Sequence, residues 1–282
     1  MISGRKRVNE MSVLIEGQQL TIEDICAVAD QTKAIKLSEQ SDFIKRIDKG
    51  AEFIDTLLKE EGCVYGVTTG YGDSCTVSVP LESVAELPKH LYTFHGCGLG
   101  KYFDPQQTRA ILLVRLNSLA QGYSGVRYLL LQQIVTLLNH DILPLIPEEG
   151  SVGASGDLTP LSYLAAVLAG EREVLYQGKK QFTKEVYTQL NITPLVLKPK
   201  EGLALMNGTA VMTAVACIAY QRAEYLSQLC TRITSMASFA LKGNAYHFDK
   251  KLFTVKPHVG QIKVAQRIRA DLHLSAEAPR ND

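Results

Sequence analysis

From Thr209 to Leu241 about 33 residues run without glycine or proline, more than an ordinary globular helix holds, so the chain has to accommodate one long rod. Such a rod is stable when other helices cover it, which makes a helical bundle the natural architecture. Further helical patterns agree. Phe43, Ile44, Ile47, Ala51, Ile54, Leu57 and Leu58 recur at helical spacing from Ser41, with Gly62 as the stop. Gln106–Gln121 and Val126–Asn139 carry apolar residues around much of their circumference and belong in a core. Shorter helices are predicted over Leu158–Leu168, Lys184–Leu190 and from Val259 or Gly260 to Leu274. The remainder is mixed: Met11–Glu16 reads as a strand, Thr21-Ile22-Glu23-Asp24 as a capping box, and Glu173–Thr183 as a hairpin turning at Gln177-Gly178.

With 282 residues, 46% hydrophobic content and a net charge of +1, the chain has room for one large domain or two smaller ones. There is no basic stripe and no interleaving of aromatic and basic residues, which argues against nucleic acid or an anionic membrane as partner. Met1–Glu16 lacks the apolar core of a signal peptide, and Cys26, Cys63, Cys75, Cys97, Cys217 and Cys230 are scattered, so a cytoplasmic location is expected. The uncharged run Gly202–Gln221 has roughly the length of a membrane span, but Asn207, Gly208 and its threonines interrupt it, and it reads as a buried helix with a loop leading in. The histidines show no Ser-His-Asp or metal-ligand spacing, and His95 with Cys97 alone would make a poor zinc site. No metal is expected.

The most unusual chemistry lies in Gly150-Ser151-Val152-Gly153-Ala154-Ser155-Gly156-Asp157-Leu158-Thr159-Pro160-Leu161. Gly156 has no Cβ, so its amide nitrogen can approach the carbonyl carbon of Ala154 and close a five-membered ring, with Ser155 supplying a leaving hydroxyl. Loss of two waters would leave a methylidene-imidazolone, a carbon electrophile built from the chain itself. The plainer reading is a Gly-rich loop in which Asp157 caps the following helix.

The longer string tips the balance, because it closely resembles the active-site signature of the aromatic amino acid ammonia-lyases. Tyr65-Gly66-Val67-Thr68-Thr69-Gly70-Tyr71-Gly72 resembles the second signature of that family, with Tyr71 where phenylalanine is more usual, and Glu201–Thr209 resembles a third. The resemblance implies that Tyr65 takes the substrate's β-proton, that Ala154, Ser155 and Gly156 form the methylidene-imidazolone, and that Asn207 orients the group or the substrate. It places Gly72, Phe94, His95 and Leu158 against the substrate. Taken alone, Tyr65 would be a packed loop tyrosine, Asn207 a helix cap, His95 a core histidine and Phe94 simple packing. A free phenol is a poor base near neutral pH, so the implied role of Tyr65 needs a site that favours the anion; helix N-termini beyond Asp157 and Asn207 are candidates.

The implied fold is mainly α, a helical bundle of the ammonia-lyase or fumarase-aspartase-like type with a small mixed N-terminal domain and the C-terminal half missing. Residues 1–200 would form the electrophile-bearing domain and 201–282 the start of a long-helix bundle. The implied activity is elimination of ammonia from an aromatic L-amino acid, with a homotetramer as the full-length assembly. His95 favours tyrosine or histidine over phenylalanine, since an imidazole packed on a bare phenyl ring loses a hydrogen bond. Phe94 and Ala210 depart from the histidine-lyase pattern and lean towards tyrosine. An aminomutase with the same electrophile, and an inactive fragment acting only in assembly, are the alternatives. Family members are nearly twice as long, and with bundle partners and the carboxylate-holding arginine missing, the 282 residues alone are expected to expose apolar helix surface and turn over little.

Overall fold

The computed structural model describes residues 12–60 and 64–273. They fall into two compact units, one ending at Ile218 and the other starting at Ala219. In the first unit, β1 (Ser12–Ile15) pairs in parallel with β2 (Ala34–Leu37) across the crossover helix α1 (Ile22–Ala29). Half of the predicted capping box is present: the Thr21 hydroxyl accepts the Asp24 N–H at 3.1 Å, while the Asp24 carboxylate accepts the Thr21 hydroxyl rather than the Thr21 N–H. Helix α2 (Ser41–Glu60) buries Phe43, Ile47 and Ala51 on one face, as its periodicity requires; its expected stop at Gly62 lies outside the described residues.

Two short helices follow, α3 (Leu81–Val84) and α4 (Leu87–Phe94), and then strand β3 (Leu99–Tyr102). Asp104 and Gln107 form a reciprocal capping box at the start of α5 (Pro105–Leu119), and α6 (Tyr128–Asn139) lies against α5. Ile111, Leu112, Leu113, Leu116, Leu130, Leu131 and Ile134 are fully buried, so this helix pair forms the centre of the core. β4 (Leu143–Pro144) and β5 (Pro147–Glu149) lead to the Ala154-Ser155-Gly156 loop and to α7 (Thr159–Leu168), which is buried from Pro160 onward. β5 pairs antiparallel with β3, Leu99 opposite Glu149 and Tyr102 opposite Pro147. The loops after α4 and after β5 therefore leave the same end of one ribbon.

The predicted hairpin is β6 (Glu173–Tyr176) and β7 (Lys179–Phe182), with positive φ at Gln177 (52°) and Gly178 (73°), the turn that matches strand twist. β4 extends it to three strands. Next come α8 (Thr183–Leu190) and α9 (Pro199–Met206). Sequence patterning takes the approach to the rod as a loop, whereas α9 is a buried helix packed on α4, α5 and α7. Gly202 makes this packing possible: a Cβ there would stand 2.8 Å from the Pro88 Cα of α4.

The rod is α10 (Ala210–Ala240); its residues to Ile218 belong to the first unit and the rest to the second. The second unit adds α11 (Lys250–Val255) and α12 (Val259–Asp271), which pack on each other and bury Ala265 and Ile268. Tyr225, Leu226, Ile233, Met236 and Phe239 of α10 are exposed. Within Pro199–Ala240 an 18-residue segment reaches a mean hydropathy of 1.7, enough for a membrane span, yet 56% of that segment is buried inside the protein, as in a core helix.

Replacing the buried Leu113 by alanine is expected to destabilise the first unit by about 2–5 kcal/mol, the loss of buried apolar atoms plus a cavity, read as a lower midpoint in urea unfolding.

Candidate active site

A cavity of about 570 Å³ in the first unit is lined by Tyr65, Ser155 and Asn207 together, from loops more than 50 residues apart in sequence. Each loop is held by its own local bonds. Around Tyr65, the Val64 N–H donates to the Thr68 hydroxyl at 2.7 Å and the Gly66 N–H to the Thr69 hydroxyl at 3.1 Å, so the two buried threonines peg a tight turn. Gly66 has φ +64°, and a Cβ there would run into Leu203 and Tyr71. Tyr65 is 52% exposed, and its hydroxyl oxygen accepts the Gly72 N–H at 3.0 Å. That leaves the phenol hydrogen free to point elsewhere.

Ser155 lies in an exposed turn closed by the Asp157 N–H donating to the Ala154 carbonyl at 3.1 Å. A Cβ on Gly156 would meet nothing within 4 Å, so there is room around the nitrogen that would close the ring. Asp157 is not the cap of α7. Leu158 takes that position without a side-chain bond, while the buried Asp157 carboxylate accepts the Ser151 hydroxyl and ties the loop across its base.

Asn207 ends α9, its N–H donating to the Leu203 carbonyl at 2.9 Å. The residue capping α10 is Thr209, whose carbonyl accepts the Thr213 N–H at 2.9 Å. Asn207 is therefore a C-cap of one helix rather than the N-cap of the next.

The family model for aromatic amino acid lyases matches residues 20–282. The chain belongs to the aromatic amino acid lyase family. The histidine ammonia-lyase of Alkaliphilus oremlandii is 40% identical over 91% of this chain and 50% of its own length. Among solved structures, tyrosine aminomutase from Streptomyces globisporus superposes with a TM-score of 0.85 at 35% identity, covering 92% of this chain and 49% of that one. Histidine ammonia-lyase from Trypanosoma cruzi gives a TM-score of 0.83 at 32% identity over 92% and 51%. The chain thus spans about half the length of the relatives it matches, and the mainly helical ammonia-lyase fold expected from sequence is the fold found.

The other residues singled out by sequence in this aromatic amino acid lyase stand off the cavity wall. Gly72 acts through its backbone N–H on Tyr65. Leu158 packs partly buried on the core. Phe94 is 80% exposed at the end of α4, with its ring edge-on to that of His95 at 5.1 Å. Their segment nevertheless adjoins the start of the Ala154-Ser155-Gly156 loop, since a Cβ on Gly150 would sit 3.2 Å from the Gly98 Cα. Arg172 donates to the Gly96 carbonyl at 3.2 Å, and the Gly98 N–H donates to the Tyr163 hydroxyl at 3.0 Å, which braces that segment.

Two cations line the cavity that sequence reading passed over, Arg115 and Lys200, and its lining includes no carboxylate. Burial pushes the Lys200 ammonium below its ordinary value and the Arg115 guanidinium down to about 10, still protonated near neutral pH. Arg115 had a signal: it is the single charge within the apolar run Ala110–Leu119. Among the described residues, no three metal-ligating side chains converge.

Burial also lowers the pKa of His95 below the ordinary 6.5, so the ring is neutral near neutral pH with one nitrogen donating and one accepting. A proton NMR titration of its Cε1 signal is expected to show a midpoint below 6.5. A depressed folded pKa means that the stability linked to His95 is fully present above 6.5 and is lost as pH falls from there through the lower folded value.

Proposed function

We propose that the complete protein eliminates ammonia from an aromatic L-amino acid with a polar ring, histidine or tyrosine, giving the arylacrylate. The observation that carries this reading is the convergence of Tyr65, Ser155 and Asn207 on one cavity. Ala154-Ser155-Gly156 suits the ring closure: the Gly156 nitrogen bonds to the Ala154 carbonyl carbon, whose oxygen leaves as water, and Ser155 loses its hydroxyl and α-hydrogen as a second water. The exposed turn and the open space at Gly156 support this. The resulting methylidene-imidazolone supplies an electrophilic carbon for the substrate's amine.

The chain's own residues do the rest. Tyr65 removes the β-proton as its phenolate, whose oxygen accepts the Gly72 N–H in a charge-assisted hydrogen bond that weakens once the proton has arrived. Asn207 presents its amide to the substrate, and Lys200, without a carboxylate beside it in the lining, favours a substrate that carries one. A neutral His95 matches a phenol or an imidazole and leaves phenylalanine with an unpaired ring partner. The histidine lyases among the relatives support histidine, while Phe94 and Ala210 still lean towards tyrosine.

An aminomutase using the same residues is the second reading, favoured by the likeness to tyrosine aminomutase. Further parts of the same proposal are a metal-free cytoplasmic enzyme, a homotetramer in the full-length protein, a domain division near residue 200, and little turnover by these 282 residues alone.

The full-length protein is expected to weigh about 36 Da less than its sequence, two waters, with the deficit mapped by mass spectrometry to Gly150–Leu161 and abolished in Ser155→Ala. Ammonia release from histidine or tyrosine is expected, reduced about a hundredfold or more in Tyr65→Phe. A β-amino acid product would select the aminomutase reading; an unmodified mass with no ammonia release would overturn both.

A further inference from the structure

Arg115 projects from α5 and is 5% exposed, yet every described hydrogen bond it makes is to a carbonyl at the C-terminal end of α9. Its Nε donates to Leu205 O at 2.9 Å, and its Nη2 to Ala204 O and, at 2.7 Å, to Asn207 O. These are carbonyls that the end of a helix leaves without partners, at the negative pole of its dipole, so a buried cation is accommodated there without a carboxylate. The next residue is fitted to the same group: Gly208 has φ +148°, and a Cβ on it would lie 2.6 Å from Arg115 Nη1. Asn207, the residue gripped, and Arg115, the residue gripping, both line the cavity.

We propose that Arg115 is a positioning residue for the reaction: its forked guanidinium fixes the backbone at Asn207 and the break before α10, and thereby aims the Asn207 amide at the substrate. This rests on the ammonia-lyase reading for its catalytic half, while the structural half stands without it. A lysine offers one point of charge in place of the planar fork, so it does not replace all three contacts at once.

The test uses the full-length protein with Arg115→Gln, Arg115→Lys, Asn207→Ala and the double variant Arg115→Gln/Asn207→Ala. By hydrogen–deuterium exchange, Arg115→Gln is expected to speed exchange across residues 203–213 about tenfold or more while the β6–β7 hairpin is unchanged. In turnover, Arg115→Gln is expected to lower kcat about a hundredfold with KM within about threefold, and Arg115→Lys to recover only part of that loss. In the Asn207→Ala background, Arg115→Gln should cost less than about threefold more, because the path it acts through is already gone. The full loss of kcat in that background, or a lower melting temperature with kcat per folded molecule unchanged, would overturn the proposal. So would unchanged exchange over residues 203–213. Absence of turnover in the parent protein would sink the lyase reading instead, and the exchange result would then decide alone whether Arg115 holds Asn207.

Discussion

Helix α9 is held at each end by a buried charge of the sign its dipole favours, and the cavity depends on that. At its N-terminal end the Glu201 carboxylate, 1% exposed, accepts the Lys198 N–H at 2.8 Å, the Arg127 N–H at 3.0 Å and the Arg127 guanidinium at 2.9 and 2.7 Å. At its C-terminal end Arg115 takes the free carbonyls. An anion at the positive pole and a cation at the negative pole both stabilise the helix. They also dock it, because one partner sits at the start of α6 and the other on α5, the pair that forms the centre of the core. Lys200, Leu203, Ala204 and Asn207 all enter the cavity wall from this one clamped element.

Around that wall the site is assembled from loops rather than from regular structure. Tyr65 comes from a threonine-pegged turn and Ser155 from a turn tied off by Asp157 and Ser151. The ribbon of β3 and β5 brings the Phe94–Gly98 segment alongside the foot of the Ala154-Ser155-Gly156 loop. The arrangement suits the reaction proposed above, in which a base, an orienting amide and a backbone-derived electrophile would meet at one substrate.

Long elements with strong periodicity were legible in the sequence. The rod α10, the core pair α5 and α6, the α2 face and the hairpin at Gln177-Gly178 all lie where patterning puts them. What patterning missed was short or held by tertiary contacts. The strands β3, β4 and β5 have too few residues to alternate, and α9 hides behind Gly202, a residue that weakens a lone helix but is required where α9 meets Pro88. The cap assigned to Asp157 failed because that carboxylate has a better partner within its own loop. That Tyr65, Ser155 and Asn207 belong together was readable from motif, whereas Arg115 and Lys200 needed the fold, since nothing local says that a charge on α5 will meet the end of α9.

The bond between Gly72 and Tyr65 has a consequence for how such a site drifts over generations. The donor is a main-chain N–H, so it survives exchange of the side chain at position 72 by anything except proline, provided the turn itself is kept. A left-handed φ of 56° there still disfavours most replacements, and the bond is thus encoded by the path of the chain rather than by a functional group that mutation can delete. Neighbouring side chains are then free to diverge while the Tyr65 oxygen keeps its partner.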